Sequence, residues 1–168
     1  QMSYTRPYST LLTGFEAMTP MLYDIQAVQY LYGANMAWHA GDDVYSFTEH
    51  SAPRCIWDGG GVNVFDFSAC GNGAVIDLRP GMFSSTMADY RNVSIAFGVT
   101  VQEAVGGAGG DVVHCGDTGS TVRAGAGGDT IHGGAGNDLL LGEDGIDTLV
   151  LPGLSSAYRL SHAGGGWV

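Results

Sequence analysis

A chain of 168 residues is long enough to bury a core, and its 17 acidic against 6 basic side chains, a formal charge of -11, argue against nucleic-acid or anionic-membrane partners. No apolar run approaches the roughly 18 residues that a membrane span needs, no secretory leader is visible, and the abrupt start at Gln1 reads as the middle of a longer protein. The three cysteines, Cys55, Cys70 and Cys115, make no even disulfide framework and no Cys-x-x-Cys metal pair, which leaves Cys55 and Cys70 either to pair or to be buried as thiols.

Residues 1–19 are polar, aromatic and aperiodic and read as loop. A helix is predicted next, with Thr19 as N-cap, Pro20 at the tolerated first position, Asp24 near the positive end, an apolar stripe of Met21, Ile25, Val28, Leu31 and Tyr32, and Gly33 as the stop. From Asp42 the period changes to two. Val44 and Phe47, Ile56, Val62 with Val64-Phe65-Phe67, Val75-Ile76-Leu78 and Val93-Ile95 are short strand candidates between Gly, Asp, Asn and Pro clusters. Their simplest role is to cap the end of the solenoid that follows, where core and strand edges would otherwise be exposed.

Residues 106–150 organise the whole chain. Cut into nines they read GGAGGDVVH, CGDTGSTVR, AGAGGDTIH, GGAGNDLLL and GEDGIDTLV, five units of Gly-Gly-x-Gly-x-Asp-x-apolar-x without an insertion. That period is the signature of a parallel β-roll that binds calcium. The glycine half turns tightly, the second half makes a very short strand, and Val113, Val122, Ile131, Leu140 and Leu149 are expected to point inward. Two units complete one coil, so units two apart stack at roughly 4.8 Å. A flexible Gly-rich linker would have no reason to repeat an apolar residue at every eighth position.

Stacking then explains the carboxylates. Asp111, Asp129 and Asp147 fall on one edge of the roll, Ser120 and Asp138 on the other, beside turn carbonyls such as those of Gly107, Gly109, Gly125, Gly127, Gly134 and Gly136. A hard cation with six to eight oxygen ligands fits such a ladder, which repels itself without one. Two strong calcium sites are expected, between Asp111 and Asp129 and between Asp129 and Asp147. A poorer one is expected between Ser120 and Asp138, because Ser120 replaces an Asp and Cys115 and Ala124 replace glycines. His114 and His132, eighteen apart, become neighbours on the outer face and read as surface histidines. After Val150 a strand pair is expected over 158–161 with a turn at 163–166, breaking off within an element.

These residues are similar to a serralysin-type secreted zinc protease, a metzincin, from its Met-turn onward. Met2-Ser3-Tyr4 matches that family's Met-Ser-Tyr, and PMLYDIQAVQYLYGAN (20–35), GDDVYSF (41–47), IWDGGGVNVFDFS (56–68) and NVSIAFGVTVQEAVGG (92–107) follow in the family's order before the nonapeptides. The resemblance implies that Met2 lies beneath the zinc-binding histidines and that the Tyr4 hydroxyl can ligate zinc and help stabilise the transition state. It implies two more calcium sites. One takes the carbonyls of His39 and Gly41, the carboxylate of Asp42, and Asp58 and Gly60, with His39 in place of the usual Arg. The other takes Gly61, Asn63, Thr100 and Gln102, where two carboxylates of the family have become amides and affinity should fall.

The signature H-E-x-x-H-x-x-G-x-x-H is nowhere in the chain, whose histidines are His39, His50, His114, His132 and His162. Zinc therefore belongs only with a protease part that these residues do not contain, and the chain alone is expected to be catalytically inert. The resemblance, which covers about 1–150, divides the chain into a protease remnant (1–35), a β capping region (36–105) and the nonapeptide roll (106–150); residues 151–168, more similar to β-roll proteins in general, are expected to form an incomplete C-terminal β cap. The fold class is mainly β, a parallel β-roll with capping strands and one N-terminal helix. The function so implied is that of the calcium-binding part of a secreted, extracellular zinc endopeptidase. Its partners would be protein substrates, reached through the parent protease, and an upstream catalytic segment or chain. The alternative is a non-catalytic calcium-dependent module for secretion, folding or attachment.

Overall fold

The structure, a computed structural model, describes residues 16–87 and 90–154. Met2, Tyr4 and the strand pair expected over 158–161 lie outside these residues. In chain order the elements are helix α1 (Leu22–Tyr32) and strands β1 (Val44–Thr48), β2 (Arg54–Ile56), β3 (Val64–Ala69), β4 (Val75–Asp77), β5 (Phe83–Ser84), β6 (Val93–Ile95), β7 (Glu103–Val105), β8 (Val112–His114), β9 (Thr121–Arg123), β10 (Ala126–Gly127), β11 (Thr130–His132), β12 (Leu139–Leu141), β13 (Asp144–Gly145) and β14 (Thr148–Val150).

Two parallel sheets face each other. One has the order β1-β3-β7-β9-β12 and the other β14-β11-β8-β4. The eighteen-residue coil is plain in the register: Ile131 lies beside Val113 and Leu149, and Leu140 beside Val122. The expected parallel β-roll is therefore the fold. Of the strands expected as a cap, β1, β3 and β4 extend the roll's own sheets: β1 pairs with β3 and β3 reaches β9 through β7, while β4 pairs with β8. A third, three-stranded sheet, β2-β6-β5, lies outside these two.

The core follows the alternation of each strand. Phe65, Ala104 and Val122 are buried in one sheet and Ile76, Val113 and Ile131 in the other, with Phe47 and Phe67 packed against Phe65 at centroid distances of 5.2 and 6.2 Å and against each other at 4.7 Å. Each fully buried aliphatic or aromatic side chain contributes about 1.5–3 kcal/mol. Burial fades along the axis. Leu149, expected to point into the core, is 50% exposed, because β14 is the outermost strand of its sheet and nothing described lies beyond it. Cys115 and Ala124, read as weak replacements of glycine, are buried apolar residues, whereas a Cβ at the first position of the first repeat, Gly106, would run into the Ala124 carbonyl. All three cysteines are buried free thiols and no Cys55–Cys70 disulfide forms.

Helix α1 stops at Gly33 as expected, whose φ of 81° suits glycine and whose N–H donates to the Gln29 carbonyl. Its start differs. Met21 is the N-cap and its N–H donates to the Asp24 carboxylate at 3.1 Å. Thr19 instead bolts the incoming chain to β2, accepting from the Cys55 N–H at 2.8 Å and donating to its carbonyl at 3.2 Å. The apolar stripe is also rotated from its expected face. Leu22 is buried and Ile25 partly so, whereas Val28, Leu31 and Tyr32 are exposed. Leu22, in the first turn, is the one buried residue of α1.

Candidate metal-binding edges

Each short strand is entered from a turn, and the residue just before the strand forms a rung of a ladder along the edge of its sheet. Before β4, β8, β11 and β14 stand Ala74, Asp111, Asp129 and Asp147. The Ala74 N–H donates to Asp111 Oδ1 at 2.6 Å, the Asp111 N–H to Asp129 Oδ1 at 2.7 Å, and the Asp129 N–H to Asp147 Oδ1 at 3.0 Å. A carboxylate in this position thus bridges to the backbone one coil earlier. The second oxygen of Asp111 accepts from the Gly107 N–H at 2.7 Å, closing its own turn. The second oxygen of Asp129 is buried and has no hydrogen-bond partner.

The opposite edge repeats the pattern. The Ser120 N–H donates to Asp138 Oδ1 at 2.8 Å and the Gly134 N–H to Asp138 Oδ2 at 2.9 Å, while Ser120 Oγ accepts from the Gly116 N–H at 3.1 Å. The side chains that the eighteen-residue period placed together, Asp111 with Asp129 and Asp147, and Ser120 with Asp138, are together. Between them the glycine turns nest closely enough to form their own two-stranded ladder, β10 with β13. Gly125, at φ 104°, has no room for a side chain, because a Cβ there would run into the Gly107 carbonyl.

Burial raises the Asp111 carboxyl above its ordinary value despite hydrogen bonds from Ala74 and Gly107, and the charge of Asp129 adds to the rise. Burial likewise raises Asp129, with the Asp147 charge in the same direction. These are carboxylates that the protein alone under-compensates. The edges carry carboxylate oxygens, a donor type suited to a hard cation such as calcium, while the Gly107 and Gly125 carbonyls accept from the Ala126 and Asp144 N–H groups at 3.0 and 2.9 Å. The buried, unpartnered oxygen of Asp129 fits one.

The residues grouped by resemblance at the start of the roll lie in adjacent turns. Asp58 is 3% exposed; its Oδ1 accepts from the Gly60 N–H at 2.8 Å and its Oδ2 from the Tyr45 hydroxyl at 2.6 Å. Burial first, then the hydrogen bond and charge of Asp58 and the charge of Asp43, hold the Tyr45 phenol far above its usual range. Asp42 Oδ1 accepts from the Val62 N–H at 2.8 Å, and the Gly59 N–H donates to the His39 carbonyl at 3.2 Å. Gly61 lies against the Gly41 carbonyl. The sequence reading missed the His39 imidazole, whose Nδ1 lies 2.9 Å from Asp43 Oδ2 and which with Asp43 and Asp58 forms a cluster of three ligand-capable groups within 4.8 Å. A positive φ of 48° at His39 turns the chain there.

Gly61, Asn63, Thr100 and Gln102 meet as well. Asn63 and Gln102 occupy the rung positions before β3 and β7, a continuation of the Ser120–Asp138 edge that lies outside the nonapeptides. The Asn63 N–H donates to Gln102 Oε1 at 2.7 Å, and Gln102 Nε2 donates to the Gly61 carbonyl at 3.0 Å. On the outer face His114 and His132 stack with centroids 4.5 Å apart and an interplanar angle of 14°.

These features define a class of protein, a solenoid module in which nonapeptide repeats form a parallel β-roll edged with carboxylates. Residues 23–159 match the family described as peptidase M10 serralysin C terminal, and the chain belongs to that family. It is 41% identical over 131 residues to the serralysin of Proteus mirabilis, covering 69% of this chain and 27% of that protein. Serralysin C of Dickeya chrysanthemi is 41% identical over 107 residues, covering 56% of this chain and 22% of the relative. Metalloprotease AprA of Pseudomonas entomophila (strain L48) is 40% identical over 112 residues, 59% of this chain and 23% of the relative. The chain thus corresponds to about a quarter of the length of these curated relatives. Among the described residues, no helix is long and apolar enough to cross a membrane.

Proposed function

We propose that this chain is the calcium-binding part of a secreted, extracellular zinc endopeptidase of the serralysin kind, and that calcium drives the folding of its nonapeptide coils. The observation that carries the reading is the Asp111–Asp129–Asp147 ladder with its buried, unpartnered Asp129 oxygen. Calcium would be held between Asp111 and Asp129, between Asp129 and Asp147, more weakly between Ser120 and Asp138, and in the turns of His39, Gly41, Asp42, Asp58 and Gly60. Binding free energy at such edges adds directly to folding free energy. Zinc would belong to a histidine-bearing part outside these residues, with Tyr4 contributing its phenol, and protein substrates would be cleaved there. The exposed face of α1, including Tyr30, Leu31 and Tyr32, supports a neighbouring protease segment. Far-ultraviolet circular dichroism during a calcium titration tests the reading: strand content should rise with calcium and fall in excess chelator. Equal strand content in both would refute it.

A further inference from the structure

The two turns at 61–63 and 100–102 are joined by more hydrogen bonds than any cation would leave available. The Asn63 carbonyl accepts from the Gln102 and Glu103 N–H groups at 3.0 and 3.1 Å, and Gln102 Oε1 accepts from the Asn63 N–H at 2.7 Å. The remaining amide groups point at carbonyls: Asn63 Nδ2 donates to Thr100 O at 3.2 Å, and Gln102 Nε2 to Gly61 O at 3.0 Å. Asn63 Oδ1 in turn accepts from the Asp43 N–H at 3.2 Å, which extends the same ladder to the turn before β1.

Both amides are used at both ends. Turning either one over would set an oxygen against a carbonyl oxygen and an NH2 against an N–H, so the orientation is fixed by its neighbours. Asn63 is 1% exposed, which makes any unpaired polar atom there costly. A carboxylate at these rungs would accept the same N–H but would face the Gly61 and Thr100 carbonyls with a second oxygen, and only a cation could reconcile them. The four residues that resemblance groups as a calcium site therefore do not fit one. The hydrogens of the amides stand toward the carbonyls from the direction a cation would have to occupy.

We propose that Asn63 and Gln102 close this turn pair with their own amides in place of calcium, so that the β3–β7 coil holds its shape without the ion while the coils from β8 onward require it. The proposal rests on calcium being the cation of the aspartate edges, but its own test is separable from that reading. Hydrogen exchange read by mass spectrometry on the chain in chelator should show the Asn63, Gln102 and Glu103 amides slowed by on the order of 100-fold or more relative to the unfolded chain. Adding calcium should leave them unchanged and newly protect the Asp111 and Asp129 amides. Fast exchange at Asn63 and Glu103 in chelator, reversed by calcium, would overturn the proposal. Slow exchange there with no calcium response at Asp111 would uphold the amide closure of the β3–β7 coil but refute the calcium requirement of the later coils, and with it the proposed function. A second arm uses Asn63→Asp with Gln102→Glu. This variant should bind one more calcium than the wild type by titration calorimetry and lose the protection of 61–66 in chelator. An unchanged ion count with unchanged protection would overturn the proposal, and if the variant fails to fold, the wild-type exchange pattern decides alone.

Discussion

Replacing Asp129 by Ala removes three things at once. Its Oδ1 accepts the Asp111 N–H, a buried group that would be left unpaired; hydrogen bonds to charged groups are worth about 1.5–3 kcal/mol. Its carboxylate also stands between Asp111 and Asp147 and so would serve two ions. At a free calcium concentration of about 100 times Kd, each bound ion stabilises by about 2.7 kcal/mol, hence roughly 5 kcal/mol for two. Against a typical domain stability of about 5–15 kcal/mol, the sum is enough to unfold the nonapeptide coils even in calcium. Asp138→Ala removes one weaker site and the bonds from Ser120 and Gly134, so its coils should persist in excess calcium with a higher titration midpoint. Asp129→Asn separates the terms, since the amide oxygen keeps the Asp111 bond while the charge is lost. The assay is circular dichroism against calcium, paired with ion stoichiometry by calorimetry. Equal stoichiometry and equal midpoints for the Asp129 and Asp138 variants would show that the ladder does not share ions at Asp129.

Gly125→Ala should destabilise the roll by about 1–2 kcal/mol from its backbone conformation alone, with the clash against Gly107 adding to it, whereas Gly41→Ala, which meets open space, should lie near wild type; thermal melts in calcium compare them. Burial, with the neighbouring His132 and Arg79, lowers the His114 pKa against the pull of Asp77. The folded state therefore binds fewer protons than the unfolded one below the ordinary histidine value, and stability should be lost as pH falls below about 6.5. Melts at saturating calcium should show that slope flattened in His114→Gln, and an unaltered slope would exclude the stack as its source. Burial raises the Cys70 and Cys115 thiols to about 11, so in calcium both should resist alkylation at neutral pH. Chelator should expose Cys115 well before Cys55, and equal labelling rates with and without chelator would contradict calcium-driven folding of the coils. Incubated with zinc, calcium and an unfolded protein substrate, the chain alone should show no chelator-sensitive cleavage.

The roll was legible because its period is written twice, in the apolar eighth positions and in the sixth-position aspartates, and the eighteen-residue register between β8 and β11 follows from counting. The helix face was not. Met21, Val28 and Leu31 are spaced as a buried stripe, yet the Thr19–Cys55 bonds fix the entry angle so that Leu22 faces the sheets instead. The ladder beyond the repeats was hidden by spacing. Asn63 and Gln102 lie 39 residues apart, more than two regular coils, because β4, β5 and β6 are threaded between them. Their amides were read as weakened ligands, since a lost charge is visible in a sequence and a gained donor is visible only beside the carbonyl it reaches. Strands β5 and β7 were missed as well. Phe83–Ser84 is only two residues long, and Glu103–Val105 owes its strand conformation to neighbours β3 and β9 rather than to any pattern of its own.

The packed rings of Phe47, Phe65 and Phe67 give the stack an origin. In a solenoid each coil contacts only its neighbours, so order spreads from wherever the first coil forms. A knot of three large side chains at one end means that this first step is taken where burial is greatest. Each nonapeptide coil then condenses on a finished surface, and from β7 to β9 and from β8 to β11 the loop it closes is only eighteen residues. Growth along the axis acquires a direction, from the aromatic end toward Leu149, and dissolution runs the opposite way, the outermost coil leaving first.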